Sequence, residues 1–213
     1  RKSQTTSLRR ALSPTTHSSA MLVVDCEFGF DHSIGTMSSA FEPGKIYGLC
    51  GPNGSGKTTL ARTVAGEIHP YSGSVTLDGQ PTSDGNMVGR LAYISRPEFY
   101  PDLSVGEHIK LLEKYSKQDF SAAIEQWALA ELLDSPPSRL SSGQQQRVYL
   151  GTQLLMHRDV TIVDEPERHL DQDWVEVCCA QLRDIADQGS VVLVATHSPV
   201  VRNSCDDILS IGA

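Results

Sequence analysis

The residues best suited to chemistry in this 213-residue chain lie together in Gly51-Pro52-Asn53-Gly54-Ser55-Gly56-Lys57-Thr58-Thr59. Glycines at 51, 54 and 56 let the backbone turn tightly and approach an anion with no Cβ in the way. Their amide N–H groups then point inward at phosphate oxygens. Lys57 supplies a mobile cation for β- and γ-phosphates, and Thr58 a hydroxyl for Mg2+. The stretch matches G-x-x-x-x-G-K-[ST], the phosphate-loop pattern, and Asn53, Ser55 and Thr59 within and beside it are further candidates for contacting the nucleotide. The alternative is a chance glycine-rich turn. A second group is Asp164-Glu165, two carboxylates at the end of the β-favouring run 160–163. Asp164 is placed to hold Mg2+ through its water shell, and Glu165 to polarise an attacking water. The alternative is a solvated acidic loop. A third is Thr196-His197-Ser198-Pro199, which follows an apolar strand. In an open parallel sheet this places His197 at the same edge as Asp164, within reach of a γ-phosphate. A lone histidine after a strand is otherwise more often structural.

The flanking patterns predict what positions these residues. Ile46–Cys50 reads as a buried strand into the loop, and 57–65 as a helix with Leu60 and Val64 one turn apart, capped by Gly66. A helix N-terminus beneath the phosphates adds its positive dipole end. Further strands are expected at 21–25, 36–41, 74–77, Leu91–Ile94, Val191–Ala195 and 208–211, with Asp78-Gly79 as a hairpin turn. Ser104-Val105-Gly106-Glu107 is a capping box, with Val105, Ile109 and Leu112 as the buried face of its helix. A second helix is expected over 120–133. Ser141, Ser142 and Gly143 open a helix carrying Val148, Thr152 and Leu155. Taken alone this is an ordinary capped helix, or an anion site. A last long helix follows Asp171, with Trp174, Val177 and Leu182 facing in. Strands alternating with helices over this length predict one sizeable α/β domain. Phe30 is the candidate for stacking on an adenine ring, with Phe28 as runner-up; the alternative for either is core packing.

Composition narrows the function. The formal net charge of −8 argues against nucleic acid as the main partner. No apolar run reaches the roughly 18–20 residues of a membrane span, so service to a membrane means docking on a separate subunit or segment. The five cysteines show no zinc spacing and read as buried or half-buried thiols in a reducing compartment. Residues 1–20 contain Arg and Lys, many Ser and Thr, and no acid. That composition suits a flexible tail, a tag remnant or an organelle-targeting segment.

Taken in order, GPNGSGKTT, LSSGQQQR, TIVDEP, HLD and THS resemble the nucleotide-binding domain of ABC (ATP-binding cassette) ATPases over essentially residues 21–213. The resemblance implies an α/β P-loop NTPase fold: an F1-type mixed-sheet core, an antiparallel β subdomain and a small helical subdomain at about 98–140. It implies ATP and Mg2+ as cofactors and head-to-tail dimerisation with itself or another ABC domain. Ser141, Gly143 and Gln144 would then contact the γ-phosphate across the dimer, Glu165 would be the base, His197 the γ-phosphate sensor and Asp171 the interface aspartate. Two positions depart from the family pattern. Ser142 replaces a usual glycine, and no glutamine stands at Ser95 or Arg96, where one normally helps coordinate Mg2+ and couples the site to the transport subunit. The expected function is the ATP-hydrolysing subunit of a transporter, with export favoured. It would sit peripherally on the cytoplasmic side of a membrane and work with transmembrane permease subunits. A soluble ABC ATPase in DNA repair, translation or cluster assembly, and a low-turnover regulatory cassette, are the competing readings.

Overall fold

The computed structural model describes residues 21–212, so the readings offered for residues 1–20 fall outside the described residues. Two sheets carry the fold. The first is antiparallel, with order β2-β1-β4-β5, built from β1 (Leu22–Gly29), β2 (Ser33–Phe41), β4 (Ser72–Leu77) and β5 (Gln80–Pro81). β1 runs to Gly29 rather than ending near residue 25, because Cys26 and Phe28 continue the buried alternation begun by Leu22 and Val24. β2 begins at Ser33, earlier than expected, since Phe28 and Gly29 find partners in Gly35 and Ser33. Asp78 and Gly79, both at positive φ, turn β4 into β5.

The second sheet is parallel, with order β6-β7-β8-β3-β9, from β3 (Ile46–Cys50), β6 (Leu91–Ile94), β7 (Val160–Asp164), β8 (Val191–Ala195) and β9 (Asp207–Ser210). The two strand directions therefore sit in separate sheets rather than mixing within one. Every residue of β8 is buried, as a central parallel strand covered on both faces requires. Alternate residues divide between two cores. Tyr47, Leu49, Val160, Ile162, Val191 and Leu193 face the antiparallel sheet and helix α1 (Lys57–Val64). Ile46, Val163, Val192 and Val194 face a helical layer of α2 (Val105–Ser116), α3 (Ser121–Gln126), α4 (Ser142–Gln153) and α5 (Gln172–Asp187). A short α6 (Pro199–Asn203) follows β8. Arg90 links the sheets, with Nη2 2.5 Å from Asp78 and Nε 2.6 Å from Asp159.

Three expectations about the helices need correction. The helix expected over 120–133 stops at Gln126. Ala128 takes φ 46, and a 3-10 turn follows at Ala130–Leu132. Trp127 and Leu129 are both fully buried, and a continuous helix would point two residues this close to opposite sides. Arg147 donates to the carbonyls of Trp127 and Ala128 that the helix leaves free. In α5 the buried stripe is Val175, Cys178, Leu182 and Ile185. Trp174 and Val177 are only partly buried, and Trp174 stacks on Trp127 at 6.1 Å with Arg147 3.9 Å above its ring. In α2, Leu112 is likewise half-buried rather than buried.

The strand entering the glycine loop is held to α5 by Asp206. Its Oδ2 accepts from the Ile46 N–H at 2.7 Å and from Arg183 Nη1 at 2.9 Å, while Arg183 Nη2 donates to Gly44 at 2.7 Å. Burial works to raise the Asp206 pKa, but the Ile46 N–H and the Arg183 guanidinium outweigh it and hold the carboxyl below its ordinary value. Stability from a depressed carboxylate is complete above the ordinary range and is lost as pH falls through the folded-state value. Asp206→Asn is therefore expected to lower the urea midpoint near pH 7 and to flatten the loss of stability between about pH 5 and pH 2. Parallel acid limbs in the two proteins would show that Asp206 carries no such linkage.

Candidate functional site

The parallel ladder pairs Asp164 with Ala195, and Ala195 with Leu49. The segments that follow this row on three strands therefore leave the sheet within a residue of one another. These are the glycine loop after β3, Glu165 after β7 and Thr196-His197 after β8. Backbone bonds extend the alignment, from Glu165 N–H to Ala195 at 2.8 Å and from Thr196 N–H to Leu49 at 3.3 Å. Crossover helices do not block this carboxyl edge, and ligands of such sheets bind there.

The loop closes on α1, whose N-cap is Gly56 at φ 95 with no side-chain cap bond. The first amides of the helix thus keep donors for an anion. A Cβ on Gly56 would lie 3.0 Å from both Ile34 Cδ1 and Phe28 Cε2, so the position demands glycine for space as well as for φ. Lys57 is buried, and its Nζ donates to the Gly51 and Pro52 carbonyls at 2.9 Å each. Ser55 Oγ is buried with no hydrogen-bond partner among the described residues, which leaves bonding capacity inside the loop.

A cavity of about 220 Å3 is lined by Asn53, Gly54, Gly56, Lys57, Thr58, Thr59, Glu165, His197 and Ile34. All but Ile34 are among the residues singled out from the sequence. Ile34 stands out only as an apolar residue on the exposed side of an otherwise polar strand. A second cavity of about 350 Å3 lies beyond Thr58 and Asp164 and is also lined by Tyr93, Ser95, Arg96 and Arg168. Asp164 Oδ2 accepts from Thr58 Oγ1 at 2.8 Å and from the Tyr93 hydroxyl at 3.0 Å. Burial first, then the Asp164 charge, pushes the Tyr93 pKa up, so the phenol stays protonated and donates. A hydroxyl and a carboxylate side by side are hard oxygen donors that suit Mg2+, which typically takes one or two protein ligands and fills its shell with phosphate and water.

Glu165 adopts φ 52. Its Oε2 is ion-paired with the Arg168 guanidinium, and its Oε1 lies 3.4 Å from His197 Nε2. Burial raises the Glu165 pKa, but Arg168 outweighs this, helped by His197 and Lys57, and the carboxyl ends below its ordinary value. It is therefore an anion at neutral pH, with Oε1 on the His197 side.

The signature residues lie elsewhere. Ser141 and Gln144 form a reciprocal capping box at the start of α4, with Ser141 N–H donating to Gln144 Oε1 at 2.9 Å and Gln144 N–H to Ser141 Oγ at 3.2 Å. Gly143 packs so closely that a Cβ would lie 2.8 Å from the His169 carbonyl. Asp171 caps α5, accepting from Trp174 N–H at 3.1 Å. None of these four lines either cavity at the loop. Phe30 is 62% exposed just past the end of β1, whereas Phe28 is 1% exposed and packs beneath Gly35 and Gly56. The Phe28 alternative is thereby corrected, because a ring enclosed by two glycines has no free face. Tyr93, Arg168 and Glu167 were missed by sequence reasoning. Only the unusual charge density of Glu165-Pro166-Glu167-Arg168 marked the last two.

Fold and loop together are those of a P-loop nucleotide-binding domain. The chain belongs to the ABC transporter family, whose family model matches residues 34–168. It is 31% identical over 179 residues to the putative ABC transporter ATP-binding protein AlbC of Bacillus subtilis (strain 168), covering 78% of this chain and 75% of that protein. It is 33% identical over 170 residues to the SkfA peptide export ATP-binding protein SkfE of the same organism, covering 76% and 71%. A solved structure described as the ATP binding subunit of an ABC transporter superposes with a TM-score of 0.80 at 23% identity, over 90% of this chain and 85% of that one. ATP-binding domains of this family are in general ATPases that bind ATP with Mg2+. Among the described residues, no helix is long and apolar enough to cross a membrane.

If Tyr93 orients Asp164 toward a metal, Tyr93→Phe should raise the Mg2+ concentration needed for half-maximal nucleotide binding by about tenfold, as loss of an outer-sphere partner does. Titration of Mg2+ against a fluorescent ATP analogue measures this. An unchanged midpoint would reduce the Tyr93 bond to packing.

Proposed function

We propose that this chain is the ATP-hydrolysing subunit of a membrane exporter, working through a head-to-tail dimer with a second ABC domain and docked on transmembrane permease subunits. The observation that carries the reading is the convergence of Lys57, Thr58, Glu165 and His197 on one cavity at the edge of the parallel sheet. Lys57 would release its two carbonyls for the β- and γ-phosphates. Thr58 and Asp164 would hold Mg2+, which supplies neutralisation of phosphate charge. A water between Glu165 and the γ-phosphate would lose its proton to Glu165 Oε1 as its oxygen attacks phosphorus. The bond from phosphorus to the β–γ bridging oxygen would break, leaving ADP and phosphate. His197, beside Glu165, would donate to the γ-phosphate. Phe30 would stack on the adenine from the end of β1. Ser141, Gly143 and Gln144 of one copy would face the γ-phosphate held by the other, with Asp171 at the interface. The location would be peripheral, on the cytoplasmic side of a membrane. Export is favoured because a similar protein, SkfE, is named for it. A net charge of −8 supports protein rather than nucleic-acid partners.

A second reading, a cassette that binds ATP with little turnover, is favoured by one observation. Arg96 and Ser95 line the Thr58–Asp164 cavity where a glutamine would help coordinate the metal, and a guanidinium cannot coordinate a cation. Steady-state hydrolysis separates the two. The parent is expected to turn ATP over slowly. Glu165→Gln should lose at least about a hundredfold in kcat while keeping ATP affinity. It should also shift to a dimer in gel filtration when ATP is added. Absence of turnover in the parent, even with membrane partners present, would replace the motor by the regulatory cassette.

A further inference from the structure

Glu167 lies two residues beyond the candidate base and has no role in the chemistry above, yet it is the most heavily used acceptor at the site. Its Oε1 takes the Thr196 hydroxyl at 2.6 Å, the His197 N–H at 2.9 Å and the Ser198 N–H at 3.0 Å. Thr196 Oγ1 in turn accepts from Ser198 N–H at 3.0 Å. These bonds fall where the sheet stops providing partners. β8 ends at Ala195, and Thr196 N–H makes the last ladder-like bond, to Leu49. Beyond it the amides of residues 197 and 198 meet a side-chain carboxylate instead of a strand. Hydrogen bonds to an ionised acceptor are short and roughly twice as strong as neutral ones.

The geometry has a consequence for the candidate catalytic pair. The His197 side chain is 39% exposed, with Nε2 3.4 Å from Glu165 Oε1, so the position of its main chain sets where the imidazole can reach. Glu167 and Glu165 belong to one tight turn, closed by the bond from Arg168 N–H to the Glu165 carbonyl at 3.1 Å. The same turn therefore carries the base and grips the backbone of the histidine. From this geometry we propose that Glu167 is a positioning residue, fixing the His197 main chain relative to Glu165 so that the two side chains face the reacting phosphate side by side. The idea rests on the hydrolysis reading above and deepens it. Glu167 itself touches no reacting atom. Its second oxygen is buried with no partner among the described residues.

The test uses Glu167→Ala, Glu167→Gln, His197→Ala and the double variant Glu167→Ala/His197→Ala in the full chain. Glutamine keeps an acceptor oxygen and serves as the conservative rescue. Glu167→Ala should lower kcat for ATP hydrolysis by about tenfold or more with KM within about twofold, and Glu167→Gln should recover most of the loss. Because Glu167 acts through His197, adding Glu167→Ala to His197→Ala should lower kcat by less than about twofold further. Without nucleotide, the His197 and Ser198 amides should exchange hydrogen about tenfold faster in Glu167→Ala, while those of β8 remain protected. Parental kcat in Glu167→Ala, or an equal loss in both backgrounds, overturns the proposal. If the parent hydrolyses no ATP, the hydrolysis reading fails instead, and the exchange experiment decides whether Glu167 holds the loop. If Glu167→Ala does not fold, the exchange and kcat of Glu167→Gln decide. Rapid exchange at residues 197 and 198 despite a retained acceptor would then overturn the proposal.

Discussion

Everything at the candidate site depends on one row of the parallel ladder, in which Leu49, Ala195 and Asp164 lie abreast. A one-residue slip of β7 or β8 would swap which side chains face each core. It would also move Glu165 or His197 by one strand step away from the loop. The slip is resisted because both faces are filled. Ile162 and Leu193 pack toward the antiparallel sheet, and Val163 and Val194 toward the helices, all fully buried. The register of the chemistry is thus secured by apolar packing on two sides, and no polar contact at the edge has to hold it alone.

Charge at that edge is arranged in short, partnered groups. Asp164 is shared by two hydroxyls, Glu165 by a guanidinium and an imidazole, and Glu167 by one hydroxyl and two amides. Three carboxylates within four residues would repel one another if each were bare. Giving each its own donors offsets that repulsion, so adjacent acids can stand together at one edge. Arg168 has a double part here. It lines the cavity shared with Thr58 and Asp164, and it engages one oxygen of Glu165, leaving the other toward His197.

Three helices of the helical layer are tied to one another through stacked rings. Arg147, in the segment Leu140–Arg147 that resembles the family signature, sits over Trp174 and bonds the carbonyls at the end of α3, while Trp174 stacks on Trp127. Asp171 caps the helix that presents Trp174. The signature helix, the short α3 and the start of α5 therefore meet at one cluster, and Gly143 lets the signature backbone approach His169.

The parts set by local pattern were legible in the sequence. A glycine loop between an apolar strand and a helix, acids at the end of a buried strand and a capping box each follow from residues adjacent in the chain. Their order was enough for the family and the fold class. What sequence could not decide were contacts between segments far apart in the chain. Phe28 and Phe30 are two residues apart in similar surroundings, and only the approach of Gly35 and Gly56 encloses the first and leaves the second exposed. The break at Ala128 follows from burying Trp127 and Leu129 together, against local helix preference. Tyr93 reaches Asp164 across 71 positions and Glu167 reaches Thr196 across 29. A tyrosine in a strand and a glutamate in a turn carry no local mark of such roles. Their partners come within hydrogen-bonding distance only after two buried faces have fixed the sheet, so these roles were decided by the tertiary structure alone.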